Sequence, residues 1–329
     1  EYWAPGRYVD NAVNNALDPA SLSTIPSFVA QDYLNSSTEI LGLRYKFRFL
    51  PKINVSFPVR ENQVLFFNYG HSTRIPHPSY IYAGLDPFYQ DQSDLPDLGN
   101  PNLDPEVDIS YEIGFRNQIT SNDAFNASAF WRDKYDFVTT QSIRVQDVDG
   151  RNVTKAFRIN GDYARSRGIE LSYIKRYKDL IRGQLSFTYS RAEGLSSTND
   201  DNLNAINANQ NIGSNIETPL AWDRPFDIKG NITFTHDRPQ SLLGWSALND
   251  FQIFLSGVWR SGTRYTPMEF VGLQRNPVTG REDWRPIYER VTDPAKRYSR
   301  VGPAWFYMDL NVQKWFEIQG VRVSTFVEL

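Results

Sequence analysis

Apolar and polar residues alternate with period two along much of this chain. SYEIGFRNQI (110–119), GIELSY (168–173), QLSFTYS (184–190), FDIKGNITFTH (226–236) and MDLNVQ (308–313) all show it, the mark of strands whose two faces meet different surroundings. Tyr111, Ile113, Phe115, Leu185, Phe187 and Tyr189 fall on the apolar side. Glu112, Arg116, Ser186, Thr188, Asp227, Lys229, Asp309 and Asn311 fall on the other, a side too polar to line a dry core. Extended along the chain, the pattern predicts about ten strands, at 46–58, 63–72, 107–119, 122–138, 157–177, 181–193, 224–237, 250–263, 302–317 and 321–329.

The connections have their own rhythm. They are short at VREN, SND, YKDL and IQG, with a somewhat longer one around RPQSLLGWSALN, and long at 73–106, 139–156, 194–223 and 264–301. Strict alternation of short and long is what an up-and-down antiparallel sheet does when one edge is confined and the other reaches outward. A soluble sandwich mixes connection lengths at both ends, and its strands average only about five or six residues. The fold class expected is therefore all-β, an antiparallel up-and-down transmembrane β-barrel.

Composition changes this picture little. The 329 residues permit one large domain or two ordinary ones, and a mean hydropathy of -0.51 would by itself suggest a soluble protein. Without a run of about 18 apolar residues no helical membrane span is expected, but alternating strands cancel their own hydropathy signal. The 18 Tyr and 21 Phe favour a barrel, because rings collect in strands and in interfacial girdles. Trp131, Tyr135, Trp259, Trp305 and Tyr307 lie towards long-loop ends and Tyr177, Trp315 and Phe316 near short turns, as two such girdles would require. A net charge of -3 without a basic stripe argues against a nucleic-acid partner. The absence of cysteine removes disulfides and thiolate chemistry.

Candidate chemistry is sparse. His71, His77 and His236 are too scattered for a metal or haem site and are expected to be structural. The acidic stretch Asp86, Asp91, Asp94, Asp97, Asp104 and Asp108 offers oxygen ligands but lacks the spacing of a calcium loop. Asp147 to Gly150 reads as a loop-tip turn, and the sequons at Asn126 and Asn152 as chance. No cofactor, no metal and no enzymatic activity are expected, since no nucleophile, base and orienting group stand out. The loop aromatics Tyr80, Tyr82, Phe88, Tyr89, Trp284 and Tyr288 are candidates for contact with a ligand or partner. Residues 1–45 read as an extracellular loop or inter-strand segment carrying a short helix, and EYWAPGRYVD holds no secretion signal.

Two segments carry a family resemblance. NPNLDPE (100–106) followed by SYEIGF (110–115) resembles the NPxLKPExxxxYExG signature of TonB-dependent outer-membrane receptors. NGDYARSRGIEL (160–171) is similar to that family's NxGxAxxxGxEL strand. Weaker matches are Tyr69-Gly70 with Pro76, WDRP (222–225) and MDLN (308–311), in the family's order; the style of 57–78 looks most like Oar-like members. The resemblance implies a barrel of 22 strands around a plug, with 46–329 forming its C-terminal half and lacking plug, TonB box and closing strand. It implies residence in the bacterial outer membrane, contact with outer-membrane lipid, and energy from a TonB complex that grips an N-terminal region outside this sequence. Glu112, Arg116, Glu170, Asp227, Lys229 and Asp309 would then face the lumen and plug, and Ile113, Phe115, Leu171, Phe187, Ile232 and Leu310 the lipid. Active uptake of an unknown ligand (siderophore, oligopeptide or glycan) is the function implied. A scaffold for a surface lipoprotein or matrix and a passive porin are the alternatives.

Overall fold

The computed structural model describes residues 2–18, 25–83, 97–146, 152–178, 180–202, 216–236, 249–275, 284–290 and 293–329. Its frame is one antiparallel sheet whose long strands follow chain order. They are β1 (Lys52–Arg60), β2 (Gln63–Arg74), β3 (Glu106–Thr120), β4 (Asp123–Gln146), β5 (Asn152–Tyr177), β6 (Ile181–Gly194), β7 (Phe226–His236), β8 (Phe251–Arg260), β9 (Trp305–Ile318) and β10 (Val321–Glu328). The sheet is open, with β1 and β10 at its edges. Short turns close one end. Between β9 and β10 both Gln319 (φ 52) and Gly320 (φ 80) are left-handed, the backbone that a two-residue hairpin following the strand twist demands.

Register fixes which residues share a face. Phe57, Leu65, Phe115, Ala127, Leu171, Phe187, Ile228, Trp259 and Phe306 stand side by side from β1 to β9 as one continuous apolar row. The next row, on the opposite face, runs Phe66, Gly114, Ser128, Glu170, Thr188, Asp227, Arg260 and Trp305. At Gly168 on β5 the missing side chain is a packing requirement. A Cβ there would lie 2.2 Å from the Tyr189 carbonyl oxygen and 2.9 Å from the Phe130 ring.

Most strand ends match the alternation, and the exceptions have physical causes. The first expected strand, 46–58, starts only at Lys52, because Leu43–Phe47 pairs elsewhere and Pro51 breaks the run. β4 and β5 are 24 and 26 residues long, and they continue through most of the expected loop 139–156 as a paired ribbon. A register shift beside Asp136 (φ 57) marks where the ribbon leaves the common sheet. The alternation is interrupted there because both ribbon faces are covered: Val138, Thr139 and Thr140 are all buried. The long connection 264–301 likewise contains a hairpin, Met268–Arg275 with Trp284–Arg290.

The buried hydrophobic cluster of the described residues lies at the long-loop end rather than between strands. Residues 2–47 fold into α1 (Arg7–Leu17), α2 (Ser27–Ser36) and a small sheet of Tyr2–Trp3, Leu43–Phe47 and Thr38–Ile40. Val9 and Val13 sit one helical turn apart on α1 and meet Val29, Ala30 and Tyr33 of α2. Trp3, Ile81 of α3 (Pro78–Tyr82), Leu103, Val138 and Phe157 complete this cap.

A polar clamp binds the cap to the sheet, and it is made by the two sequence signatures. The Asn160 side chain accepts the Asp104 amide at 2.9 Å and donates to the carbonyls of Asp104 (2.9 Å) and Asp136 (2.8 Å). Asn100 donates to the Arg158 carbonyl at 2.8 Å, and Glu106 accepts the Val138 amide at 3.2 Å while pairing with Lys134 at 2.9 Å. Lys46, 4% exposed, places its ammonium 2.8 Å from the Asn102 carbonyl and from the Asp104 carboxylate. Burial pulls the Lys46 ammonium below the usual lysine range, with Asp104 opposing. Burial and the Asp10 carboxylate, 2.7 Å away, push the Tyr33 phenol well above its usual range.

Two outcomes follow from this packing. Asn160→Ala strands buried backbone groups of the clamp, so the cap should lose about 1–3 kcal/mol. Hydrogen exchange should then accelerate in α1, α2 and 100–106 while the strands stay protected; uniform acceleration would refute a separate clamp. Gly168→Ala should destabilise the sheet by about 1–3 kcal/mol in urea titrations. Gly272→Ala, with nothing within 4 Å of its Cβ, should not.

Candidate functional site

Glu112, Arg116, Glu170, Asp227, Lys229 and Asp309 all stand on the polar face, since each is in register with Asn68, Asn126, Ser128, Thr188, Ser186 or Ser256 of a neighbouring strand. They are spread over it rather than gathered. Glu112 accepts from the Asn68 amide at 3.0 Å, and the Arg116 guanidinium lies 4.6 Å above the Phe66 ring. Asp227 forms ion pairs with Lys229 at 3.2 Å and Arg260 at 2.9 Å, and Asp309 accepts the Ser256 hydroxyl at 3.2 Å. Charges of both signs are thus distributed along the wall, with only Asp227 and Lys229 of the six in contact. Such a surface hydrates and holds polar partners without forming one selective pocket.

Ile113, Phe115, Leu171, Phe187, Ile232 and Leu310 stand on the opposite face. The girdle expectation needs a correction here. Trp131, Trp259 and Tyr177 are on that apolar face, but Trp305 is in register with Arg260, Tyr307 with Val258 beside Lys229, and Trp315 with Ser324, which puts all three rings on the polar face. Proximity to a strand end does not decide the side; parity along the strand does. Trp305 instead stacks against the Arg260 guanidinium at 5.3 Å.

The loop aromatics divide into two kinds. Tyr80 packs 4.5 Å from the Arg158 guanidinium, and burial pushes its phenol up. Tyr82 donates its hydroxyl to the Pro5 carbonyl and lies against Tyr8. Both rings are therefore built into the cap. Trp284 and Tyr288 are 63% and 53% exposed on the hairpin of the β8–β9 connection, with Phe270 edge-on to Tyr288 at 5.9 Å. Phe88 and Tyr89 lie outside the described residues, as do Asp86, Asp91, Asp94 and the turn at 147–150.

Other polar groups are structural joints. Asp104 is held by Lys46, and His77 accepts the Ser79 amide at the start of α3. His71 lies 2.5 Å from the Tyr69 hydroxyl. Among the described residues no group of three or more His, Cys, Asp or Glu could hold a metal ion. Asp223, in the WDRP segment, was not singled out by sequence; it is 1% exposed, accepts the Ala192 amide at 2.8 Å and pairs with Arg264 at 2.6 Å. Arg297 reaches Asp201 at 2.9 Å from the same connection. These pairs tie the 195–225 and 261–304 segments together at their roots. Only the Trp-Asp-Arg-Pro match itself could have pointed to Asp223.

The family model described as "TonB dependent receptor-like, beta-barrel" matches residues 6–324. Among solved structures, the outer membrane transporter YddB from Escherichia coli aligns at 14% identity and TM-score 0.50, over 87% of this chain and 36% of that one. The FrpB iron transporter from Neisseria meningitidis aligns at 14% identity and TM-score 0.47, over 82% and 32%. The ferripyoverdine receptor of Pseudomonas aeruginosa aligns at 11% identity and TM-score 0.47, over 87% and 29%. This chain thus spans about a third of the length of the structures it matches. No curated protein sequence matches. With the family model covering nearly every residue, the open sheet is a partial barrel and the chain belongs to the TonB-dependent receptor β-barrel family of the bacterial outer membrane.

Proposed function

We propose that this chain forms wall and mouth of a receptor that takes up a ligand across the outer membrane, powered by a TonB complex acting on a plug outside this sequence. The observation that carries the reading is the division of the sheet into one continuous apolar row and one polar row of mixed charge. In a bilayer the first faces lipid and the second a hydrated lumen. Glu112, Arg116, Glu170, Asp227, Lys229 and Asp309 then line the path and hold the plug by polar contacts that water can replace when the plug moves. The cap and the long connections stand at the extracellular mouth, where ligand is first met. Siderophore, oligopeptide and glycan remain the ligand classes.

One observation favours a second role, docking of a surface lipoprotein. The β8–β9 hairpin leaves Phe270, Trp284 and Tyr288 each more than half exposed, and exposed rings are good anchors for a protein partner.

Two measurements test the main reading. Phe187→Arg puts charge against lipid and should cost about 2–4 kcal/mol on refolding into vesicles, whereas Ser186→Arg should be tolerated; equal losses would reverse the assignment of faces. The full-length protein in planar bilayers should show no steady open-channel conductance, because a plug fills the lumen. A stable open channel would make it a passive porin.

A further inference from the structure

The apolar face carries a groove. Gly230 of β7 is in register with Gly257 of β8 and with Leu185 of β6, and Gly183 of β6 lies one row nearer the short turns, opposite Ile232. Three missing side chains on adjacent strands leave a trough of about 480 Å³ walled by Leu185, Ile232, Leu255, Trp259, Phe306 and Met308. The space is open at Gly257, where an added Cβ would find its nearest neighbours, Phe306 and the Tyr307 carbonyl, only at 3.9 Å. The three glycines lie on β6, β7 and β8, inner strands of the sheet, while Phe306 and Met308 belong to the stretch of β9 that β10 does not flank.

Its end towards the short turns is charged. Asp123, Lys175 and Gly183 stand side by side in one row, which continues through Ile232, Leu255 and Leu310. Lys175 Nζ is 2.8 Å from Asp123, which also accepts the Tyr173 hydroxyl at 2.5 Å and the Thr120 hydroxyl at 2.7 Å. Tyr173 and Lys175 both line the groove. A cation and an anion therefore sit together where the trough opens, on a row that is otherwise apolar.

We propose that the groove holds one acyl chain of a zwitterionic phospholipid from the leaflet at the short-turn rim, with its phosphate on Lys175 and its ammonium on Asp123. The assignment rests on the reading that the apolar face meets lipid. An unfilled trough in hydrocarbon forfeits dispersion contact along its whole lining, so an acyl chain occupies it. The headgroup follows from charge. An anionic lipid alone would set its phosphate beside the Asp123 carboxylate, whereas a zwitterion gives each partner an opposite charge.

The test uses the full-length protein in phosphatidylglycerol vesicles with a rising fraction of phosphatidylethanolamine bearing brominated chains, which quench tryptophan on contact. The Trp259 signal is taken as wild type minus Trp259→Phe. Half-quenching should occur at a mole fraction about five-fold lower than in Gly257→Ile, which fills the groove, or in Lys175→Glu, which makes its mouth acidic. Retained heat-modifiable mobility in gels establishes that each variant is folded, and the two act independently. Quenching that rises linearly and is unchanged in both variants means bulk lipid only, and overturns the site while leaving the orientation intact. No quenching of Trp259 at any fraction overturns the orientation and the site with it. Equal enrichment of brominated phosphatidylglycerol in a phosphatidylethanolamine host overturns the headgroup assignment.

Discussion

Backbone hydrogen bonding without water is the constraint on which this structure depends. In the outer membrane every strand N–H and C=O must find a partner inside the protein, and the antiparallel pairing from β1 to β10 supplies those partners along the inner strands. Once the ladder is fixed, side chains have only two directions. The sequence answers with period two, so Phe57 to Phe306 form one row and Phe66 to Trp305 its opposite. The strands therefore need no internal core. Cross-strand pairing and packing hold them, and glycines appear where a neighbour must come close, as at Gly168 under Phe130.

The cap obeys the opposite rule. It is a water-side unit held by ordinary apolar burial, with Val9, Val13, Tyr33, Leu103 and Phe157 inside. Its stability comes from that burial and not from strand alternation. The β4–β5 ribbon is the shared part: it begins as barrel wall and, past Asp136, becomes the floor of the cap. The clamp of Asn160, Asp104 and Glu106 sits at that changeover. This explains why two signatures separated by more than fifty residues in the chain read as independent motifs and act as one joint.

Period two made the sheet legible because each strand sees a different medium on either side. The signal fails wherever that condition fails. Val138, Thr139 and Thr140 are covered on both faces, so the alternation breaks there, and the short run Ser142 to Gln146 that resumes it reads as part of a loop. The helices α1 and α2 expose most of their length, and the inner side of α1, with Val9, Ala12, Val13 and Ala16, keeps a helical spacing that a pattern of period two passes over. The side of each polar residue was readable from parity alone, as Glu112 and Lys229 illustrate. Trp305, Tyr307 and Trp315 take the polar face because they are odd positions of β9, whatever their distance from a strand end. Asp223 and Lys46 could not be found at all from pattern, since a buried ion pair between distant loops leaves no periodic trace.

The distribution of satisfied and unsatisfied chemistry separates the path from the recognition surface. On the polar wall Asp227 is already met by Lys229 and Arg260, and Asp309 by Ser256, so on the proposed reading a passing ligand would gain little there. Low affinity along a wall is what passage requires, for a tight site midway would hold its cargo. At the mouth Tyr80 and Tyr82 are spent on packing, whereas Trp284 and Tyr288 keep more than half of their surface free. Aromatic surface left open beside roots stapled by Asp223 to Arg264 and Asp201 to Arg297 is mechanically anchored yet chemically uncommitted. On the proposed reading, capture therefore falls to the exposed rings of the β8–β9 hairpin, and the wall's task is to stay wet and closed.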